Sequence, residues 1–293
     1  MSVEFHLYLP QMRMEIEEIA LRAADAERVG FDGIALMDHL APPGAADAPM
    51  YEAMTTVAWL AARTERLTVG HLVLCDAFRH PALLAKQAVT VDHASGGRFE
   101  LGLGWGSVPD EIEAFGVADT APALRVARMA ETLQVLRGLW SGEPVSFEGS
   151  HHHLHGVAQR PVPGRPIPIV IGGTGPRTLE LVAAHADWWN LPLHTLDRLD
   201  ALRPRAGDAR VSIQQMVTLV PSEALREQVV STAQRRFGWM AGESGMAVGT
   251  PAELGAHFRS LADRGVERVY AWFTDFARTP TLEAFGEVIG ALR

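Results

Sequence analysis

Short apolar runs alternate with amphipathic runs along the chain, and this alternation limits the possible folds more than any other sequence feature. Apolar runs that predict buried strands occur at residues 3–9, 33–37, 67–74, 98–103, 168–171, 188–191, 210–220 and 269–273. Apolar side chains at helical spacing predict helices over residues 15–29, 52–63, 82–94, 122–140, 177–186, 196–203, 222–239, 251–264 and 282–292. We therefore expect strands and helices to follow one another in turn.

Strands that alternate with helices pair in a parallel sheet, so the predicted fold class is α/β. Eight strands with at least as many helices in 293 residues favour a (β/α)8 TIM barrel. A doubly wound open sheet is the alternative, because periodicity alone does not separate the two folds. Residues 142–166 depart from the alternation, since "PVSFEGSHHHLHG" is typical of a short hairpin and "RPVPGRPIP" of extended chain. We interpret this segment as an insertion before strand five of a single domain spanning residues 1–293.

The composition argues against several classes of function. A formal charge of -9 argues against a nucleic-acid partner, which would favour clustered lysine and arginine. The single cysteine, Cys75, rules out an intrachain disulfide framework and fits a reducing compartment. No run approaches the length of a transmembrane helix, and the N-terminal residues do not have the pattern of a secretory leader. We expect a cytoplasmic protein that contacts neither membrane nor nucleic acid.

The strand ends carry the candidate site residues, because active sites of TIM barrels lie where the strands end. Strand two ends in Asp38 and His39, and strand four ends in the stretch "LGLGWGS". The His39 ring changes charge near neutral pH, so it is a candidate acid, base or ring contact, although a lone histidine at a strand end is more often structural. The alternating glycines of "LGLGWGS" either admit a flat ring or relieve crowding where helix and strand meet.

Strand five ends in the small residues Gly172, Gly173, Thr174 and Gly175. Amides exposed at the start of the next helix would form an anion site, which the helix dipole strengthens. The Thr174 hydroxyl could donate a further hydrogen bond. A tight turn that uses glycine for its backbone conformation is the alternative. The spacing does not match the dinucleotide fingerprint G-x-G-x-x-G.

Two further constellations point away from other chemistries. The hairpin histidines, His151, His152, His153 and His155, are more typical of a solvated loop than of a zinc site, so we expect no metal. Lys86 is the only lysine and lies inside a predicted helix, which argues against Schiff-base chemistry.

Four stretches together resemble the bacterial-luciferase-like (LLM class) family of flavin- and deazaflavin-dependent oxidoreductases. They are "AERVGFDGIALMDH" (26–39), "FRHPALLAKQAVTVDHASGGRFELGLGWG" (78–106), "IPIVIGGTGPRTLELVAAHADWWN" (167–190) and "GTPAELGAHFRSLADRGVERV" (249–269). They follow one another in the family order and span almost the whole chain. The resemblance implies a (β/α)8 barrel with an insertion before the fifth strand and a cofactor in the barrel mouth.

The resemblance also implies which residues surround the cofactor. The phosphate of the flavin side chain would rest on the strand-five glycines, and the Asp-His pair would lie near the ring. The stretch "GHLVL" matches the place where the family often has a non-prolyl cis peptide behind the ring. The implied cofactor-binding residues are Asp38, His39, Leu72, Val73, Gly104, Trp105, Gly172, Gly173, Thr174 and Gly175.

Two departures bear on the activity. The family's sugar-phosphate dehydrogenases carry a glutamate just after the strand-four glycines, where this chain has Ser107. A tryptophan that those enzymes hold soon after the Asp-His pair is absent from "DHLAPPG". The sugar-phosphate activity is therefore in doubt, and the proton donor is unassigned.

The favoured interpretation is an oxidoreductase that transfers a hydride between deazaflavin coenzyme F420 and a small organic substrate. His39 would orient the ring or supply a proton. The first alternative is a monooxygenase that uses reduced FMN and oxygen, with a flavin reductase as partner. A flavin-binding protein without catalysis and a flavin-free barrel acting on phosphorylated sugars are the others. We expect a homodimer.

Overall fold

The computed structural model describes residues 3–117, 121–242 and 245–293, and strands and helices alternate through these ranges. The strands are β1 (Glu4–Leu9), β2 (Gly33–Leu36), β3 (Thr68–His71), β4 (Leu74–Cys75), β5 (Phe99–Gly104), β6 (Val145–Glu148), β7 (His153–Val157), β8 (Ile169–Gly172), β9 (Trp188–Leu191), β10 (Arg210–Leu219), β11 (Met246–Gly249) and β12 (Arg268–Phe273). The α-helices are α1 (Ile16–Val29), α2 (Ala53–Ala61), α3 (Pro81–Ala94), α4 (Pro109–Ala114), α5 (Pro122–Trp140), α6 (Pro176–His185), α7 (Leu199–Leu202), α8 (Arg226–Ala241), α9 (Pro251–Asp263) and α10 (Thr279–Leu292).

The main sheet closes on itself. Parallel pairing runs in the order β12-β1-β2-β3-β5-β8-β9-β10, and β10 pairs in turn with β12. The short strand β4 prolongs the line of β3 and pairs with the end of β5. This ring of eight parallel strands confirms the predicted TIM barrel and differs from a doubly wound sheet, which stays open. The predicted insertion contains an antiparallel hairpin of β6 and β7, which lies before the fifth barrel strand, β8.

Three local elements differ from the prediction because they are too short for periodicity to reveal. Strand β11 has four residues and pairs with the second half of β10, whereas β9 pairs with the first half. Helix α4 has six residues directly after the strand-four glycines. The helix predicted over 196–203 is wrong in part, because 3₁₀ turns occupy Leu193–Arg198 and Arg203–Arg205 and only α7 between them is α-helical.

Helix α1 illustrates how local sequence defines an element. At its start the Glu18 carboxylate accepts a hydrogen bond from the Glu15 amide at 3.0 Å, and the Glu18 amide donates to the Glu15 carbonyl at 3.0 Å. Ile19, Ala23 and Ala26 are buried against the barrel at helical spacing. The helix ends at Gly30, whose φ of 103° is in the left-handed region that favours glycine.

The alternation of side chains along the strands divides the core into two layers. Outward-facing residues pack under the helices; for example, the Phe5 ring meets the rings of Phe258 and Phe285 edge-on at centroid distances of 5.3 and 5.4 Å. Inward-facing residues fill the barrel, where the rings of Tyr8 and Trp272 lie 5.2 Å apart. The inner layer reaches the carboxyl ends of the strands and forms the floor of the site described below.

A buried ionic cluster fills the opposite end of the barrel. The Arg268 guanidinium donates to both carboxylate oxygens of Glu100, at 2.6 and 3.1 Å, and its Nε donates to Glu4 at 2.8 Å. Burial opposes the charge on Glu4, but the nearby His6 ring and the Arg268 guanidinium outweigh burial and lower the pKa of Glu4 to about 2. The cluster is far along the strands from their carboxyl ends, so its role is structural.

Candidate active site

A cavity of about 910 Å³ opens at the carboxyl ends of the barrel strands. Its volume is within the range of pockets that hold a cofactor or a drug-sized ligand. Its lining includes every residue that the sequence singled out for cofactor binding, namely Asp38, His39, Leu72, Val73, Gly104, Trp105, Gly172, Gly173, Thr174 and Gly175. The fold thus brings residues from four strand ends to one place.

The Asp38 carboxylate lies at the cavity edge and is fully engaged by the protein. It accepts a hydrogen bond from the Cys75 amide at 2.7 Å, and both of its oxygens pair with the Arg79 guanidinium. Its side chain is 3% exposed, and Arg79 pairs also with Glu52 at 2.8 Å. These contacts tie the end of β2 to the segment between β4 and α3.

His39 forms a pair with Glu111 that the sequence did not predict. Its Nδ1 lies 2.8 Å from a carboxylate oxygen of Glu111, and the other oxygen accepts hydrogen bonds from the amides of Leu40 and Ala41. Burial raises the pKa of Glu111, but the hydrogen bonds from His39 and from these amides outweigh it and hold the pKa below its usual value. An anionic acceptor at Nδ1 favours the tautomer with a proton there, which leaves Nε2 for other contacts.

Helix α4 positions the Glu111 carboxylate next to the His39 ring. The helix begins at Pro109, and the carboxylate comes from its first turn. The two partners are 72 residues apart in the chain, so no local pattern joins them. The acidic stretch "PDEIE" after the strand-four glycines is the only signal in the sequence that points to this contact.

The expected cis peptide lies between Leu72 and Val73, in the short segment that joins β3 to β4. Packing around it explains the alternating glycines of "LGLGWGS". A Cβ at Gly102 would lie 1.9 Å from the carbonyl oxygen of His71, and one at Gly104 would lie 2.6 Å from a methyl group of Val73. Relief of crowding therefore accounts for Gly102 and Gly104, and a cofactor contact at Gly104 stays a prediction.

At the end of β8, the fifth barrel strand, there is free space beside Gly172, whereas the amide of the next residue, Gly173, is already hydrogen-bonded. A Cβ at Gly172 would have its nearest neighbours at 3.9 to 4.0 Å, which is ordinary contact. Gly173 has a φ of 130°, and its amide donates to the carbonyl of Asn190 at 3.2 Å. In this arrangement the Gly173 amide is engaged by a backbone carbonyl, and a cofactor contact at Gly173 stays a prediction. Helix α6 starts at Pro176, so the amides of Arg177 and Thr178 in its first turn have no helical partner.

The hairpin histidines differ from one another. His153 and His155 are exposed and pair with Glu148, as a solvated loop predicts. His152 is 5% exposed and lies 3.1 Å from the Thr132 hydroxyl, so for this residue the solvated interpretation is wrong. Its burial follows from Glu131, whose carboxylate accepts the neighbouring amides and draws the hairpin tip against α5. Within the described ranges no group of three potential ligands is placed to hold a metal ion.

Across the cavity from the glycines, a second set of lining residues was missed. It comes from β1, α8, β12 and the adjoining loops, where the sequence shows only the spacing of core residues. Its members are mainly aromatic residues and methionines, namely Tyr8, Met12, Phe237, Met240, Trp272 and Phe276. We call these six residues the apolar wall.

Comparison with known proteins places the chain in a family. Residues 2–228 match the family described as luciferase-like monooxygenase, which is more than half of the chain. The chain belongs to this family. The result confirms the resemblance seen in the sequence. In the described part of the chain, no helix combines the length and the apolar character that crossing a membrane requires.

The similar proteins include some that are named for coenzyme F420 and one that is named a monooxygenase. A protein from Kineococcus radiotolerans named F420-dependent glucose-6-phosphate dehydrogenase is 31% identical over 188 residues, which are 62% of this chain and 56% of the relative. The chain spans about half the length of the curated relatives it matches. A structure of an F420-dependent secondary alcohol dehydrogenase with an F420-acetone adduct has a TM-score of 0.82 at 20% identity over 100% of both chains. A monooxygenase from Streptomyces bottropensis has a TM-score of 0.80 at 20% identity, over 97% of this chain and 98% of the other. These two similarities show the fold.

Proposed function

We propose that the protein is an oxidoreductase that transfers a hydride between coenzyme F420 and a small organic substrate. The observation that carries the proposal is the His39–Glu111 pair, a histidine held by an anionic carboxylate at the edge of a cavity of cofactor size. Curated relatives named as F420-dependent support the choice of cofactor.

The residues of the cavity fit such a cofactor. The open space at Gly172 allows a flat ring or its side chain to approach the backbone. The start of α6, with Thr174 and Gly175 before it, offers amides and a hydroxyl to a phosphate. When bound, the deazaflavin supplies or accepts a hydride at carbon 5 of its ring. The protein has then to hold ring and substrate together and to handle one proton.

His39 is the group in the cavity suited to the proton. Glu111 holds the ring through Nδ1, which leaves Nε2 to exchange a hydrogen bond and a proton with a substrate oxygen. Asp38 is excluded from this role because both of its oxygens are bound to Arg79. Ser107 lines the same cavity, where the sugar-phosphate dehydrogenases have a glutamate, and a hydroxyl cannot replace that carboxylate as an acid.

Substitutions at the pair test the proposal. His39→Asn should lower the rate of hydride transfer from the reduced coenzyme to enones by about 10²-fold, the scale of general acid–base catalysis. Glu111→Gln should lower kcat by a smaller factor. The dissociation constant of the coenzyme should change less than the rate in both variants, because the strand-five residues are untouched. Full activity in a folded His39→Asn variant would remove the histidine from the mechanism.

The FMN-dependent monooxygenase is a second candidate because of the apolar wall. A monooxygenase must keep water from a reactive oxygen adduct, and methionine and aromatic side chains exclude water. Oxygen dependence separates the two candidates. Turnover that requires FMN, a flavin reductase and air would support the monooxygenase, whereas equal turnover under air and nitrogen with the deazaflavin supports the dehydrogenase.

A further inference from the structure

The apolar wall is a continuous surface. The Trp272 ring lies 5.2 Å from the Tyr8 ring and 6.2 Å from the Phe237 ring, and Phe237 lies 6.4 Å from Phe276. Met12 and Met240 pack against the same cluster. Methionine side chains are flexible and polarisable, so such a surface adapts to apolar ligands of different shape.

One polar group in this wall has no partner. The Trp272 indole is 8% exposed, and its Nε1 is buried without a hydrogen-bond acceptor among the described residues. A buried donor without an acceptor costs free energy, which a ligand oxygen would recover. Neighbouring side chains screen Nε1 from solvent, so a ligand has to displace one of them to reach it. Phe237 and Met240 on α8 are candidates for this displacement because they are only partly buried.

Other polar residues that line the cavity near this wall are Gln214, Arg13, Arg236 and the exposed His194. Gln214, which lines the cavity, hydrogen-bonds the Tyr8 hydroxyl. Arg13 and Arg236 are exposed at the rim and have no ion pair among the described residues. Both guanidiniums would attract an anionic cofactor side chain as well as a substrate, so they do not discriminate between substrates. A polyol such as a sugar would leave most of its hydroxyl groups unpaired against the apolar wall.

We infer that the apolar wall binds an apolar ring compound that carries a carbonyl or hydroxyl oxygen, with this oxygen accepting a hydrogen bond from Trp272 Nε1. A ketone oxygen and an alcohol oxygen both accept hydrogen bonds, so the Trp272 N–H can bind the compound whether it is reduced or oxidised in the reaction. The inference deepens the proposed function and rests on it for the reaction, but not for the binding of the compound.

The test measures binding and not turnover. Equilibrium dialysis compares benzylideneacetone with β-ethylstyrene, in which a methylene replaces the carbonyl, in the free protein and with coenzyme F420 or FMN added. Trp272→Phe removes the N–H and keeps an aromatic ring. The matched control is Trp59→Phe, on α2 outside the cavity, where the indole lies against Arg63.

Wild-type protein should bind the ketone more tightly than the hydrocarbon. Trp272→Phe should weaken ketone binding by about fivefold, the usual effect of one hydrogen bond, and leave hydrocarbon binding unchanged. Trp59→Phe should change neither, and glucose 6-phosphate should not displace the ketone. Equal weakening of both ligands by Trp272→Phe, or displacement by the sugar phosphate, would overturn the inference. Failure of the protein to bind coenzyme F420 would count against the proposed function alone, because ketone binding is measured without it as well.

Discussion

Replacing Gly172 with alanine would add one methyl group to the cavity wall without disturbing the fold. Its backbone φ lies outside the left-handed region, unlike that of Gly173. The added methyl would lie 3.9 Å from Asn190 and 4.0 Å from Val73, so nothing in the protein has to move. If the cofactor approaches the backbone here, the methyl and the cofactor compete for the same space.

The magnitude follows from the cost of overpacking. Adding a methyl to a well-packed contact costs about 1–3 kcal/mol, and the lower half of that range applies where the ligand can shift. An increase of about 1–2 kcal/mol in binding free energy corresponds to roughly five- to thirtyfold weaker affinity. Fluorescence quenching on titration with coenzyme F420 and with FMN measures the change directly.

A matched control separates the cavity from a general effect of the added methyl. Gly290 lies exposed in α10, and a Cβ there has no neighbour within 4 Å. Gly290→Ala should leave cofactor affinity unchanged and stabilise the fold by up to about 1 kcal/mol through helix propensity. Unaltered affinity in Gly172→Ala, with an unchanged circular dichroism spectrum, would show that the cofactor does not contact strand five at this glycine.

Two further predictions concern stability. The folded protein keeps Glu4 ionised down to its pKa of about 2, whereas the unfolded chain takes up the proton near pH 4.5, so the stabilisation is complete above the higher value and is lost as the pH falls through the lower one. Glu4→Gln should lower the free energy of unfolding near neutral pH by on the order of 1 kcal/mol, allowing for solvent screening of the partly exposed carboxylate. The difference should shrink as the pH falls and vanish below about pH 2. The exposed Glu227→Gln serves as control, and a pH-independent difference would contradict the linkage. Substitutions of the hairpin histidines should affect stability according to how buried each ring is. Replacing the exposed His153 and His155 by glutamine should change the free energy of unfolding by less than about 0.5 kcal/mol. His152→Gln should cost about 1–2 kcal/mol because its ring is buried against a hydroxyl, and equal effects in the two variants would refute the difference in burial.

The barrel was predictable because each of its strands is an apolar run between amphipathic helices. The parallel arrangement then brings the strand ends together, which is why the amino-acid sequence alone assigns Asp38, His39 and the strand-five glycines to one site. Elements of four to six residues, β11 and α4, have too few positions for a period to appear.

The missed parts of the site depend on contacts between distant residues. Glu111 belongs to a six-residue helix, and its contact with His39 joins residues 72 positions apart. Trp272 is spaced like a core residue of β12, and in sequence nothing distinguishes a satisfied indole from an orphaned one. The Gly173 amide likewise donates to the carbonyl of Asn190 on the neighbouring strand, a contact that only the pairing of β8 with β9 reveals.

The most direct test of the proposed chemistry is an equilibrium titration of the purified protein with coenzyme F420 and with FMN, each in its oxidised and reduced form. We predict that coenzyme F420 binds in both forms and that FMN binds at least tenfold more weakly, a difference of about 1.4 kcal/mol. His39→Asn should leave this preference in place, because the proposed function gives the histidine a role at the proton and none at the phosphate. Tighter binding of reduced FMN than of the deazaflavin would contradict the dehydrogenase and support the monooxygenase.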